Sequence, residues 1–450
     1  MTDQPPPAMS TPAVPALDGA AAIGEELVTP SGTIRVRDRV SAGYIWLLIL
    51  ATLGAYVALV APIGISLSLR VQELMPQNVE VLGYVVGAGA VVAAISAPLV
   101  GMWSDRTKSR LGRRRPFALF GAILGVITLA FMAWAPSIPL LIVGWMFAQL
   151  GWSSVMNSLL LSQADRLPEE QRGKVAGLSG FVQMIASVLG VGIASAFIGN
   201  TFAVFLVPGT IGLLLVIVWV VAVKEPSSKD TVFEDKLTLG KVVSHMVFNP
   251  KHHPDFAWNW LGRLFFNFGV TFATTFTTLF FASRLVTGGE VKDAGALIVM
   301  LSLFGVVATA GGALLGGFLS DKLKRRRIFV LLAGIAFTVG AVIMAVGGAN
   351  APLLIAGSII TSVGLGVFAA VDQAIVLDVL PERDTEAGRY IGINVYSTSL
   401  AQAIAPIAAV PLLLIGVSGA DKNYALLFIV AAACTLIGGT LVMLFVRGAK

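Results

Sequence analysis

Apolar runs long enough to cross a bilayer recur along this chain, separated mostly by short polar loops. A spanning helix needs about 20 consecutive apolar residues. Twelve such runs are read, at 43–69, 79–103, 117–135, 138–161, 173–199, 202–223, 256–284, 293–319, 327–348, 352–377, 388–416 and 423–446. In lipid each segment must satisfy its own backbone N–H and C=O groups, so runs of this kind fold as helices. Only 12% of the residues are charged, against about a quarter in a soluble domain, which leaves too little polar surface to dissolve a globule. The 48 glycines suit helices that approach closely through small residues. Cys434 is the one cysteine, so no intramolecular disulfide can form. The chain reads as an all-α polytopic membrane protein.

Residues 1–38 are rich in Pro, Ala and Thr and lack the basic start and apolar centre of a secretory signal. They read as a disordered cytoplasmic tail. A six-helix bundle at 39–223, a cytoplasmic central loop at 224–255 and a second bundle at 256–450 are expected to follow. Charge sets the orientation. With both termini in the cytoplasm, only Arg70, Arg284, Lys292 and Lys422 of the 31 Lys and Arg fall on the far side, and Arg263 falls within a span. The positive-inside rule selects this arrangement in the cytoplasmic (inner) membrane.

The densest basic loop is "VGMWSDRTKSRLGRRRPF" at 100–117. Its charge is that of a cytoplasmic loop, and nucleic-acid binding would further need base-reading partners on a soluble face. The order of its residues returns roughly 216 residues later as "GGFLSDKLKRRRIF" at 316–329. A second pair matches as well: "ADRLPEEQRGKVAG" at 164–177 and "LDVLPERDTEAGRYIG" at 377–392. Each pair occupies the same place in its half, which implies two pseudo-symmetric six-helix bundles. Duplication of this kind builds many secondary transporters, with the solute site between the repeats. Gly101, Asp105, Arg106, Arg110, Arg113 and Arg114 in the first loop, Asp321 in its repeat, and Asp165, Arg172, Asp378 and Arg389 in the second pair are the expected gating residues. An acid at a helix end can bind a neighbouring Arg and latch one end of the molecule in one conformation.

This grammar resembles the major facilitator superfamily over residues 40–447. More narrowly, "SDRTKSRLGRRRPF" resembles the loop after the second helix in sucrose–proton symporters and in the glycoside–pentoside–hexuronide cation symporters. "AVDQAIVLDVLP" with "AGRYIGINVYS" resembles a bacterial branch near them. The resemblance implies the major facilitator fold, twelve transmembrane helices in two six-helix bundles, and alternating access. It also implies a cation-binding acid within the fourth helix. Here "PLLIVGWMFAQLGWSSVMNSLLLSQ" holds none, and Gln149 stands near that position. Gln does not titrate, so coupling through Asp372 and uncoupled facilitated diffusion both stay open.

A charge at the centre of a spanning helix costs on the order of 3 kcal/mol, so an ionisable residue there is a functional candidate. Arg263 lies about 10 Å into the seventh run and Asp372 about 9 Å from the end of the tenth, at 1.5 Å per residue. Equal depth pairs them across the second half, either as a static tie or as a proton-coupling pair. A sugar site needs hydrogen-bonding side chains and aromatic planes in a mostly apolar cavity. Tyr56, Gln149, Trp152, Asn157, Gln183, Trp260, Asn267, Gln373, Asn394 and Tyr396 supply both. Singly, each is better read as interhelical packing. Together, amides and aromatics with few charges suit a neutral polyhydroxyl solute.

His245, His252 and His253 lack a metal-ligand spacing, there is no GxxxxGK[ST] loop, and no nucleophile–base set occurs. No metal, cofactor or enzyme activity is expected. The partners expected are a small-molecule solute, protons and the lipid bilayer, with no nucleic acid. The sequence reads as a proton-coupled sugar or glycoside symporter. A proton-coupled exporter of drugs or metabolites is the alternative, and a transporter-like solute sensor ranks below both.

Overall fold

Several helices begin where a side chain can accept an orphan backbone N–H. Ser41 accepts from Tyr44 at 3.2 Å, Asn200 from Ala203 at 3.1 Å, Asn350 from Leu353 at 3.1 Å and Asn423 from Leu426 at 2.9 Å. The computed structural model describes residues 27–29, 32–34, 39–225, 227–229, 248–382, 387–417 and 421–448. Its helices are α1 (Ala42–Ala61), α2 (Leu67–Leu74), α3 (Leu82–Asp105), α4 (Arg115–Trp134), α5 (Ile138–Arg166), α6 (Glu169–Ala196) and α7 (Thr201–Ala222). The second half carries α8 (Pro254–Thr275), α9 (Thr277–Leu285), α10 (Gly295–Leu323), α11 (Arg326–Val346), α12 (Ala351–Asp378), α13 (Ala387–Leu414) and α14 (Tyr424–Phe445). Among the described residues, eleven helices are long and apolar enough to cross a membrane, and α8 with α9 makes a twelfth as one bent span. Leu27–Thr29 pairs antiparallel with Gly32–Ile34. The rest of 1–38, and His245 with most of the central loop, lie outside the described residues.

Among the described residues, two spans depart from a regular α-helix, both in the half of the molecule away from the Arg-rich loops. The first carries a π turn at Pro62–Ser66, where Pro62 supplies no N–H, within one continuous span. Thr278 donates to the Gly64 carbonyl there at 2.6 Å, and Ser66 to the Val204 carbonyl at 3.2 Å. The sequence places the seventh span in one piece, but α8 and α9 meet at 44° around Phe276. No proline causes this bend. Thr274, Thr275 and Thr277 donate to the carbonyls of Val270, Thr271 and Ala273 at 2.9, 2.8 and 2.7 Å, and such back-bonding bends helices.

The helices form two six-helix bundles with one packing plan. In the first, α1 packs on α6 and α7, α3 on α5, and α4 on α5 and α7. In the second, α8 packs on α13 and α14, α10 on α12, and α11 on α12 and α14. The halves meet where α3 touches α13 and α6 touches α10. Lipid offers no hydrophobic drive between helices, so close backbone approach carries much of the packing. A Cβ added to Gly212 would meet the Gly54 carbonyl at 2.7 Å, and one on Gly438 would meet the Gly262 carbonyl at 2.5 Å. These two crossings, α1 on α7 and α8 on α14, are the same contact in each half.

Polar links between the halves gather at one end. Gln72 donates to the Gly289 carbonyl at 3.0 Å and accepts from the Val291 N–H at 2.7 Å. Lys422 pairs with Glu80 at 2.8 Å, and Thr278 reaches Gly64. All lie away from the Arg-rich loops.

Candidate functional site

At the Arg-rich end, α5 continues past its apolar run to Arg166, which carries Asp165 onto the helix. Arg114, just before α4, reaches three elements at once. Its Nε donates to Asp165 at 2.8 Å, its Nη2 pairs with Asp105 at 2.6 Å, and its Nη1 donates to Ser104 Oγ at 2.8 Å. Burial opposes the charge on Arg114, but Asp165 and Asp105 outweigh it and hold the guanidinium above its ordinary pKa. Arg113 adds a contact to Asp165 at 3.1 Å.

The second half repeats this arrangement. Arg326 pairs with Asp321 at the end of α10 (2.8 Å) and with Asp378 at the end of α12 (2.7 Å). Each half therefore ties two helix ends with one arginine held between two acids. The copies differ in burial: the Arg114 side chain is 4% exposed and that of Arg326 26%. Gly101 faces Asn157, Arg106 is half-buried, and Arg110 is exposed. Arg172 donates to the Leu167 carbonyl at 3.2 Å, and Arg389 lies 5.4 Å from the centre of the Tyr390 ring.

Inside the second bundle, Arg263 of α8 donates to Asp372 of α12. Asp372 is 4% exposed and Arg263 17%, so both charges are withdrawn from water and compensate each other. Arg263 Nε also donates to Thr398 Oγ1 at 3.3 Å, and Asn267 donates to the Arg263 carbonyl at 2.8 Å. This places α8, α12 and α13 on one polar cluster.

A cavity of about 420 Å³ lies within the first bundle. Tyr56, Asn157 and Gln183 line it, joined by Gln163 and Ser179. No Lys, Arg, Asp, Glu or His among the described residues lines it. Asn157 is oriented by donating to the Ala97 carbonyl at 2.7 Å. The other sequence candidates sit elsewhere. Trp152 is fully buried, wedged between Gly125 of α4 and Gly212 of α7, and Gln149 packs beside Gly89 of α3. Neither is among the cavity residues. Trp260 commits its indole N–H to the Ile393 carbonyl at 2.9 Å, Asn394 is buried, Tyr396 is half-buried and Gln373 is exposed.

A second cavity, of about 460 Å³, lies between the bundles; its wall is mostly apolar, with Ser and Thr hydroxyls as its polar groups. Sequence reasoning missed it. The signal was present in "TFATTFTT" at 271–278 and "SIITS" at 358–362, where hydroxyls crowd an otherwise apolar run.

The Major Facilitator Superfamily model matches residues 40–315 and 291–450. A 55-residue stretch is 47% identical to the general alpha-glucoside permease of Schizosaccharomyces pombe, covering 12% of this chain and 10% of that protein. Another of 149 residues is 30% identical to myo-inositol transporter 3C of Cryptococcus neoformans, covering 33% of this chain and 24% of that protein. The matches thus span between a tenth and a quarter of these curated relatives. Among solved structures, the nucleoside transporter NupG superposes with a TM-score of 0.72 at 10% identity, over 90% of this chain and 99% of that one. A bacterial homologue of the human lysosomal transporter Spinster, inward-facing and unoccupied, gives 0.69 at 15% identity, over 91% and 98%. At such identities the likeness shows the fold, two six-helix bundles, and the family match goes further: this chain belongs to the Major Facilitator Superfamily.

Proposed function

We propose that the chain carries a small uncharged polyhydroxyl solute, a sugar or glycoside, across the cytoplasmic membrane by alternating access, with proton symport. The Arg-rich end faces the cytoplasm in this reading, which the distribution of Lys and Arg supports. The observation that carries the reading is the first-bundle cavity, whose polar groups are amides and hydroxyls without a charge. Such a wall hydrogen-bonds a neutral polyol, while an anionic solute would lack a cation to face. Relatives named as alpha-glucoside and myo-inositol transporters support the same class.

Where the halves are joined supports alternating access. A cytoplasm-facing state fits the Glu80–Lys422 and Gln72 contacts, which hold the far end together. In the opposite state these contacts part and the helix ends tied by Arg114 and Arg326 come together. Coupling runs through Asp372: a proton taken up on its carboxylate removes the charge that holds Arg263, and Arg263 keeps its contact with Thr398. Release of the proton restores the pair.

Charge movement in proteoliposomes on solid-supported membranes tests this, with mono- and disaccharides applied to wild type and to Asp372→Asn. A sugar-evoked, pH-dependent current in wild type that disappears in the variant is the expected result. A pH-independent sugar flux rejects coupling. Flux of cationic amphiphiles in place of sugars turns the reading to export.

A further inference from the structure

Asn259 of α8 is fully buried, and neither its side-chain carbonyl nor its amide nitrogen has a hydrogen-bond partner among the described residues. Asn394 of α13 is also buried, and its side-chain carbonyl is likewise unpaired among them. A polar group enclosed in this way carries the full cost of leaving water. Another amide on the same helix is satisfied locally: Asn267 donates to the Arg263 carbonyl at 2.8 Å.

Both unpaired carbonyls lie one turn from the contacts of Arg263, toward the Arg-rich end. Two hydrogen bonds set the register of α8 on α13. The Trp260 indole N–H donates to the Ile393 carbonyl at 2.9 Å, and Arg263 Nε donates to Thr398 Oγ1 at 3.3 Å. Asn259 and Asn394 adjoin the first of these, and each stands four residues before a member of the second. Four residues span about 6 Å of helix and keep one face. Helical side chains lean toward the N-terminus, so the long Arg263 side chain can lie over the turn that carries Asn259.

In this structure Arg263 donates to Asp372 of α12. A guanidinium has only donors, so a neutral Asp372 leaves it in need of other oxygens. We infer that Asn259 and Asn394 supply them: their side-chain carbonyls receive Arg263 when Asp372 takes up a proton, while Thr398 holds the guanidinium in both states. The arginine stays charged throughout and has two paired positions instead of one. Asn259 and Asn394 are positioning residues here. The inference rests on the coupling through Asp372 proposed above and adds to it the second resting place of Arg263.

Other charges on the surrounding helices are engaged elsewhere. Asp255 of α8 accepts the Arg447 and Gly448 N–H groups at 3.0 and 2.8 Å, and Asp378 of α12 pairs with Arg326. Arg389 of α13 lies beside the Tyr390 ring. On α10 and α11 the charged residues are Asp321, Lys322, Arg326 and Arg327, all at the Arg-rich ends, and Arg284 of α9 lies at the opposite end. Tyr390, Tyr396, Tyr424 and Cys434, on α13 and α14, are phenols and a thiol, without charge at neutral pH.

The test titrates the full chain, reconstituted in lipid, by infrared difference spectroscopy. The carboxylic C=O band that Asp372→Asn removes reports the protonated acid. Asn259→Leu and Asn394→Leu replace an amide by an apolar side chain of similar size and take an acceptor from the protonated state. Each is expected to move the midpoint of that band down by about one pH unit, or about tenfold in proton affinity, the size of one hydrogen bond to a charged group. The double variant is expected to move it further, and Asn259→Gln, which keeps a carbonyl, to recover much of the shift. A packing role alone would change thermal midpoints and leave the band's midpoint in place. With two sites, one variant that does not fold still leaves the other to decide. Midpoints unchanged or raised in the leucine variants overturn the inference while coupling through Asp372 stands. If Asp372→Asn removes no pH-dependent band, the coupling reading itself fails and the inference falls with it.

Discussion

Glu80 and Lys422, distant in sequence, lie 2.8 Å apart with side chains only 5% and 2% exposed, and their pairing joins the two halves. Neither residue belongs to a repeated motif. The tie is long-range and buried, so its strength depends on both charges being present.

Removing one partner leaves the other charge buried and uncompensated, which costs roughly 3–5 kcal/mol. Glu80→Gln and Lys422→Met are each expected to open that end of the molecule. A cysteine placed at Ile298, in a Cys434→Ala background, then reacts faster with an impermeant maleimide added from that side. Exchanging the charges, Glu80→Lys with Lys422→Glu, is expected to restore much of the protection. Unchanged labelling in both single variants would sink the latch.

Arg114 and Arg326 repeat one arrangement at different burial, which separates their expected effects. An exposed ion pair contributes at most about 1 kcal/mol, whereas breaking a buried one costs several. Arg114→Ala is expected to lower the thermal midpoint well below that of Arg326→Ala. Arg114→Lys is expected to recover little, because one ammonium cannot reach Asp165, Asp105 and Ser104 together as the forked guanidinium does. Differential scanning fluorimetry of the purified protein reads both comparisons.

Arg263 and Asp372 compensate each other inside the membrane, so their variants are expected to be strongly non-additive. Asp372→Ala alone strands the arginine and Arg263→Ala alone strands the acid. The double variant removes both charges and is expected to be more stable than either single one. A double-mutant cycle on thermal midpoints checks this, and additive losses would mean the pair is not formed.

Close approach predicts which glycines tolerate a side chain. Gly438→Val drives a side chain into the Gly262 carbonyl, and overpacking of this kind costs about 1–3 kcal/mol. Gly173 on α6 has nothing within 4 Å of an added Cβ, so Gly173→Ala is expected to stabilise by roughly 0.5–1 kcal/mol through helix propensity. Yield of monodisperse protein and its thermal midpoint distinguish the two.

Spans, repeats and charge asymmetry were legible because each is a local property. A run of apolar residues must satisfy its own backbone in lipid, and that requirement acts on consecutive residues. The pairing of Arg263 with Asp372 could be anticipated for a related reason: depth along a helix is a count of residues. The facing of polar residues was harder to read. Trp152 and Gln149 have the chemistry of a sugar site, yet one is wedged between α4 and α7 and the other lies against α3. The bend at Phe276 has no proline to announce it.

By itself, then, the sequence determined that this chain spans a membrane about twelve times, in two related halves, with its cations gathered at one end. Tertiary structure decided which of six cations near the first loop is enclosed between Asp105 and Asp165, that Glu80 meets Lys422, and that Ser and Thr scattered along the second half share one chamber with Ser187 of the first. The reason is physical. Lipid tails are as apolar as leucine, so no hydrophobic stripe tells an inward helix face from an outward one. That choice falls to close backbone approach and to the mutual compensation of buried charges, which exist only once the helices are side by side.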